Sequence, residues 1–176
     1  MILPLARMGD PILQTPADIV QDIHDPAVQD FIVDLTETFR ALNGAGLAAP
    51  QVFKPWRIVV FHVPEERAKM RGHYEEIPFT VIINPTIEYL TDETTLAWEG
   101  CFSIPDMMGE VPRCKAVRYR GVSEKGEVID RYAEGYYARM IQHELDHLEG
   151  ILYPMRMTDM SRFGFVAEVR KALGTL

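Results

Sequence analysis

The feature that most constrains this chain is the pentapeptide HELDH, which begins at His143 and ends at His147. It lies within residues 134–149, which we predict to form a helix that ends at Gly150. Residues four apart lie on one face of a helix, so both imidazoles can reach a single cation. Glu144 can then lie beside the cation without binding it and accept a proton from water. The sequence therefore predicts a metal site with a general base.

Two histidines do not complete a catalytic metal site, so a third protein ligand is needed. One known extension of the motif has a histidine six residues after the second one, but Tyr153 stands there in this chain. Glu168, on a predicted C-terminal helix, is one alternative. Cys101 is another, because a thiolate binds divalent transition metals strongly and the adjacent Gly100 allows close backbone approach. The residues alone leave both alternatives open.

Helical periodicity and turn residues predict two further helices. The first should begin at Asp25, a capping residue followed by proline, and end at Asn43, with an apolar face at helical spacing. The last should span residues 159–173. Residues 65–76 carry many charges and are predicted to form an exposed excursion.

Strands are expected where β-branched and aromatic residues concentrate, at residues 57–63, 79–84 and 86–90, with a hairpin over 115–122 and 127–132. Together the elements predict an α+β fold. We expect mostly antiparallel strands packed around a central metal-binding helix, with an N-terminal and a C-terminal helix. A chain of this length fits a single catalytic domain over residues 1–176.

Charge and cysteine content narrow the classes of partner. The chain carries 26 acidic and 18 basic residues, for a net charge of −8, which disfavours binding to DNA or anionic membranes. No apolar run is long enough to span a membrane and no signal peptide is visible, so the expected compartment is the cytoplasm. Two cysteines, Cys101 and Cys114, are too few for a disulfide framework, which favours a role as ligand or nucleophile for a cysteine near other metal-binding residues.

Three segments resemble the three motifs of the peptide deformylase family. They are GAGLAAPQ at residues 44–51, EGCFS at residues 99–103 and HELDH at residues 143–147, in the family's order and with compatible spacing. The resemblance extends over most of the chain. It implies an enzyme of the bacterial cytoplasm that removes the formyl group from the N-terminal formylmethionine of newly synthesised polypeptides.

The resemblance also implies the ligand set. It assigns the metal to Cys101, His143 and His147, and so favours Cys101 over Glu168. It implies Fe²⁺ as the working ion, and the same donors could hold Zn²⁺, Ni²⁺ or Co²⁺. A metal-activated water would attack the formyl carbonyl, with Glu144 as general base and then as general acid.

Donors to the oxyanion and residues of the substrate cleft are expected nearby. The side-chain amide of Gln51 and the backbone N–H of Phe102 are the candidate oxyanion donors. Gly46 is expected to leave backbone open for an extended peptide to pair against. Ala45 and Phe102 are expected to line the cleft.

The segment around the cysteine supplies two more candidates. We place Gly100 and Glu99 among the substrate-binding residues. Glu99 is also expected to be a buried organiser of the site, paired with Arg113.

From the residues alone, two other functions compete. A small metallopeptidase would use Glu168 as its third ligand. A structural metal module would prefer four protein ligands and would leave Glu144 without a task. Residues 161–176 carry a slight positive excess on an acidic protein, which predicts weak contact with the ribosome.

Overall fold

The computed structural model describes residues 1–174, which form four helices and eight strands joined by loops and short 3₁₀ turns. The helices are α1 (Pro26–Leu42), α2 (Glu65–Lys69), α3 (Gly135–Leu148) and α4 (Val166–Leu173). The strands are β1 (Gly46–Ala48), β2 (Ile58–Val63), β3 (Ile77–Tyr89), β4 (Thr94–Cys101), β5 (Ile104–Cys114), β6 (Ala116–Val122), β7 (Val128–Glu134) and β8 (Phe163–Phe165). The predicted α+β class is confirmed.

The strands form two antiparallel sheets. One has five strands in the order β1-β2-β3-β6-β7, and the other has three in the order β4-β5-β8. The predicted hairpin is β6 and β7, which pair from Ala116 with Glu134 to Val122 with Val128. Because β1 stands at the end of the larger sheet, its outer edge carries no strand from the described residues.

Helices cover both faces of the larger sheet, because side chains alternate between the faces of each strand. On β2, Ile58 and Val60 belong to the apolar cluster that includes the buried face of α1. Their neighbours Val59 and Phe61 belong to the cluster that includes α3. The HELDH helix is thus held centrally against a strand face.

The first helix begins and ends as predicted. The Asp25 carboxylate accepts a hydrogen bond from the backbone N–H of Ala27 at 2.8 Å, and Pro26 occupies the first helical position. Asn43 ends the helix in the left-handed conformation, with φ of 52°. Asparagine adopts that conformation more readily than most residues other than glycine.

Two strand predictions needed correction. The predicted strands at 79–84 and 86–90 are one strand, β3, whose pairing with β6 shifts register between Ile83 and Thr86. Asn84 lies at this irregularity with φ of 51°, and its amide group exchanges two hydrogen bonds of 2.9 Å with the backbone of Val20. The strands β4 and β5 were not predicted.

The predicted start of the last helix, at residue 159, was wrong. Asp159 caps a 3₁₀ turn by accepting from the N–H of Ser161 at 2.9 Å. The chain then forms β8 along the edge of β5 before α4 begins at Val166. In β8, the backbone N–H and C=O groups of residues 163–165 form hydrogen bonds with β5. A helix that began earlier would have paired the same groups within itself.

The charged excursion at residues 65–76 is largely exposed but contains α2, whose Ala68 is buried. None of the helices within residues 1–174 is long and apolar enough to cross a membrane.

Candidate metal centre

Three ligand atoms converge where the end of β4 meets the C-terminal half of α3. The sulfur of Cys101 and one ring nitrogen each of His143 and His147 lie within 4.8 Å of one another. The Cys101 Sγ to His147 Nε2 distance is 3.3 Å. Ordinary zinc bond lengths in tetrahedral geometry would separate sulfur and nitrogen by about 3.5 Å. The donor set and its spacing therefore fit a transition-metal ion, and Glu168 does not belong to this group.

Glu99 orients the first histidine ligand. His143 Nδ1 lies 2.9 Å from a carboxylate oxygen of Glu99, which leaves Nε2 for the metal. Such a partner fixes the ring orientation and makes the imidazole a stronger ligand. Arg113 donates to both oxygens of Glu99 at 2.9 and 3.0 Å, and Arg139 donates at 2.7 Å. The predicted pairing of Glu99 with Arg113 is confirmed.

The charge state of Glu99 follows from these contacts. Only 7% of the residue is exposed. Burial opposes ionisation, but the hydrogen bonds with His143 and Arg113 outweigh it and hold the pKa of Glu99 well below its usual range. The carboxylate is therefore charged at neutral pH and can accept a hydrogen bond from the imidazole N–H of His143.

The environment of Cys101 favours the thiolate. Burial disfavours the charged form, yet the neighbouring imidazoles of His147 and His143 hold the pKa of Cys101 well below its usual value. The thiolate is the form of cysteine that binds metals. Gln51 adds a contact from the other side, with its Nε2 at 3.3 Å from the sulfur.

Glu144 lies beside the ligands without belonging to them. It is 5% exposed, and its Oε2 accepts no hydrogen bond from the described residues. Burial raises the pKa of Glu144, although the imidazoles of His143 and His147 counteract this. A carboxylate with raised proton affinity suits general base catalysis near neutral pH.

The site opens into a cleft of about 590 Å³. The structure brings the predicted site residues together around it, with His147 buried behind: the lining includes Ala45, Gly46, Gln51, Glu99, Gly100, Cys101, Phe102, His143 and Glu144. A cleft with convergent polar groups and perturbed pKa values is the usual form of an active site.

Comparison with known proteins agrees with this geometry. Residues 2–163 match the family model described as polypeptide deformylase. The chain belongs to this family. It is 47% identical over 165 residues to peptide deformylase 1 of Nitrosomonas europaea, covering 94% of this chain and 93% of that protein. Identity to peptide deformylase 2 of Ralstonia nicotianae is also 47% over 165 residues, with coverages of 94% and 92%.

Among solved structures, the chain is similar to a class I type b peptide deformylase from Acinetobacter baumannii with Met-Ala-Ser bound. The TM-score is 0.81 at 32% identity, covering 89% of this chain and 99% of that one. The predicted resemblance, the metallohydrolase class and the removal of N-formyl groups from new polypeptides are thereby confirmed at the level of the family. The metal-binding set of Cys101, His143 and His147 is the one the resemblance implied.

Glycines let two side chains approach the backbone before β1 and within it. A Cβ atom at Gly46 would overlap the carboxyl group of Glu144, and one at Gly44 would overlap the ring of Phe102. Gly46 is therefore needed for the position of Glu144, in addition to its predicted role in leaving backbone open.

Gly46→Ala should lower kcat while leaving the metal in place. The added methyl group would displace the Glu144 carboxyl, and a displacement of about 1 Å near the reacting atoms can cost on the order of 10²-fold in rate. Steady-state kinetics with elemental analysis of the same sample measures both quantities. An unchanged kcat would show that Glu144 does not need its present position.

Sequence reasoning missed three residues that support the site. Ser103 is fully buried and its Oγ lies 3.2 Å from Gln51 Nε2. Arg139 lies four residues before His143, a spacing that could have placed it on the same face of α3. Tyr153 stacks on His143 with ring centres 6.2 Å apart, at the position where a longer motif would supply a histidine.

Proposed function

We propose that this chain, acting as a single catalytic domain in a bacterial cytoplasm, deformylates the N-terminal formylmethionine of new polypeptides. The observation that carries the proposal is the position of Glu144, which lies beside the Cys101, His143 and His147 ligands and against the open edge strand at Gly46. A formyl peptide paired with that edge would place its N-terminus at both groups. The Met-Ala-Ser peptide bound to the Acinetobacter baumannii relative supports a peptide in this cleft.

The test is formate release from a formyl-Met tripeptide, with peptide-bond cleavage assayed in parallel on the same sample. We expect formate and a free amino terminus in equal amounts, with the peptide bonds intact. Peptide-bond cleavage without formate release would favour the metallopeptidase alternative instead.

For the metal, we propose Fe²⁺ as the working ion held by Cys101, His143 and His147. When bound, the cation supplies Lewis-acid chemistry, polarising the formyl carbonyl and acidifying a neighbouring water. Zn²⁺, Ni²⁺ or Co²⁺ would fit the same donors, because two imidazoles and a thiolate do not select strongly among these ions.

If Fe²⁺ is the working ion, protein purified anaerobically should contain iron by elemental analysis and lose activity in air faster than it unfolds. Oxygen damages both an Fe²⁺ centre and its thiolate ligand, and exchange into Ni²⁺ should protect the enzyme. The measurement is residual activity against time in air, with circular dichroism as the control for folding. Equal aerobic lifetimes of the two metal forms would contradict an oxygen-labile iron centre.

Glu144 is the proposed general base and acid. Its Oε2, which accepts no hydrogen bond from the described residues, is the atom that would take the proton from the attacking water. The same carboxylic acid would then deliver the proton to the nitrogen of the leaving amine. Glu99 would hold His143 in position throughout instead of contacting the peptide, since its oxygens already accept from two arginines and that histidine.

Gln51 and Phe102 are the proposed oxyanion donors. Gln51 Oε1 accepts from the N–H of Ala48 at 2.9 Å, which fixes the amide so that its Nε2 faces Cys101. A donor held in this way need not reorganise when charge develops on the formyl oxygen. The backbone N–H of Phe102, one residue after the ligand cysteine, would supply the second hydrogen bond.

Gln51→Ala should therefore reduce kcat by ~10²–10³, the usual effect of removing one oxyanion donor. KM should change little, because the charge that Gln51 stabilises exists only in the transition state. Kinetics on a formyl-Met tripeptide measure both constants, and metal content serves as the control for an intact site. A variant altered only in KM would argue for a substrate-binding role instead.

The peptide itself would bind by strand addition to β1, with Ala45 and Gly46 on one side and Gly100 on the other. The oxygen of Ala45 accepts from the N–H of His62 on β2. Because successive residues of a strand point their backbone groups to opposite sides, the N–H and C=O of Gly46 face the open edge. Those two groups are available to an extended peptide.

Contact of residues 161–176 with the ribosome stays a prediction, and residues 175 and 176 lie outside the described part of the chain.

A further inference from the structure

Three arginines line the mouth of the cleft and have no carboxylate partner among the described residues. Arg7 comes from the N-terminal segment, Arg67 from α2 and Arg71 from the turn that follows α2. Within residues 1–174, none of the three forms an ion pair, whereas Arg139 deeper in the same cleft pairs with Glu99. On a chain with a net charge of −8, this local positive charge favours an anionic ligand.

Contacts with neutral groups hold two of these guanidinium groups in place. Arg67 Nη1 donates to the backbone oxygens of Asn43 and Gly44 at 3.0 and 3.3 Å. The guanidinium carbon of Arg71 lies 6.0 Å from the ring centre of Tyr136, which also lines the cleft. Both contacts position a charge without neutralising it.

The path of a bound peptide passes these arginines, an argument that rests on the proposed function. The N–H of Ala48 faces the open edge of β1 but already donates a hydrogen bond to Gln51 Oε1. Because Gln51 also contacts Cys101, the metal site closes this end of β1. A peptide whose first residue pairs at Gly46 must then leave towards Gly44. Strands advance about 3.3 Å per residue, so Gly44 lies level with the third residue of the peptide.

We propose that Arg67 and Arg71 recognise a carboxylate on the third residue of the formyl peptide, so that the enzyme prefers substrates with glutamate or aspartate at that position. Arg67 is anchored on the backbone of Gly44, where that residue passes. The carboxylate of Asp106 belongs to the part of the cleft that β5 forms, whereas both arginines belong to α2 and the turn after it. The positive charge is therefore concentrated on the α2 side of the cleft.

The test compares formyl-Met-Ala-X peptides with amidated C-termini, where X is glutamate, glutamine or lysine. In the wild type at low salt, kcat/KM for the glutamate peptide should exceed that for the lysine peptide by roughly twofold to fivefold, as expected for exposed ion pairs. The difference should appear mainly in KM and diminish at high salt. Arg71→Gln should bring the ratio towards one, and Arg67→Gln should do the same.

Lys69→Gln is the matched control. Lys69 lies on α2 between the two arginines, but it pairs with Glu65 and does not line the cleft, so its removal should leave the ratio unchanged. A ratio near or below one in the wild type would overturn the proposal. A ratio that survives in both arginine variants, or that falls equally in the Lys69 variant, would also overturn it.

Two further arms separate the alternative explanations. Formate release from the glutamine peptide tests the proposed function independently of charge, so failure there is distinct from failure of the preference. A glutamine peptide with a free C-terminal carboxylate tests the other source of the anion. That peptide could have a higher kcat/KM than its amide while the glutamate side chain brings no increase. The arginines would then bind the C-terminal carboxylate of short peptides, and the side-chain proposal would be rejected.

Discussion

Cys101→Ser should remove most of the bound metal and, with it, most of the activity. A serine hydroxyl stays protonated at neutral pH and is a poor ligand, whereas the site lowers the pKa of the Cys101 thiol to favour the thiolate. Mutating residues that merely orient metal ligands typically costs about 10–100-fold in metal affinity. Loss of a ligand itself should cost more than ~10²-fold, measurable by elemental analysis and by formate release on the same sample.

The chain offers two matched controls for this variant. Cys114 is also buried, but its sulfur contacts the backbone oxygen of Thr91 at 3.0 Å and lies outside the metal group, so Cys114→Ser should retain the metal. Glu168→Gln removes the rejected third ligand and should also retain it. Metal retained in the Cys101 variant but lost in the Glu168 variant would reverse the ligand assignment.

The sequence predicted the two histidine ligands because their geometry is local. Residues four apart share a helix face whatever the rest of the fold does, so HELDH needed only a helix. The third ligand is not local. Cys101 lies at the end of β4, in the three-stranded sheet, whereas His147 lies on α3. Helical periodicity therefore could not choose between Cys101 and Glu168, and the choice came from the resemblance of the EGCFS segment.

The paired strands β4 and β5, the first of which ends at Cys101, were missed for a physical reason. β5 contains Pro105 and Pro112, and proline lacks the N–H that a strand donates to its neighbour. Pro112 nevertheless lies opposite Leu96 in the pairing with β4. Strand propensity cannot anticipate a pairing that long-range packing imposes on such a segment.

The buried charges behind the metal site were also only partly predictable. Pairing of Glu99 with Arg113 was expected, but the network extends further, because Asp146 accepts from both Arg113 and Arg156. Charged residues on a helix usually face solvent, so Asp146 and Arg139 gave no clear signal in the sequence. Glu99 and Arg113 lie on β4 and β5, and they approach α3 only when these strands pack against it.

Glu144→Gln should retain the fold and the metal while reducing kcat by ~10²–10⁴, the usual contribution of a general base. Glutamine has nearly the same shape, so the space that Gly46 leaves for this side chain stays filled. An amide cannot take a proton from water at neutral pH. The variant could therefore neither deprotonate the attacking water nor protonate the leaving amine. The measurement is single-turnover deformylation of a formyl-Met tripeptide, with metal content determined on the same preparation.

Glu149→Gln is the control for this variant. Glu149 caps the same helix and forms a 2.8 Å ion pair with Arg57, but it does not line the metal cleft. Its replacement should leave kcat unchanged while removing the same charge from the end of α3. Near-wild-type turnover of the Glu144 variant with stoichiometric metal would eliminate the carboxylate as the proton carrier. An equal loss in both variants would attribute the effect to helix charge instead of to the position of Glu144 beside the ligands.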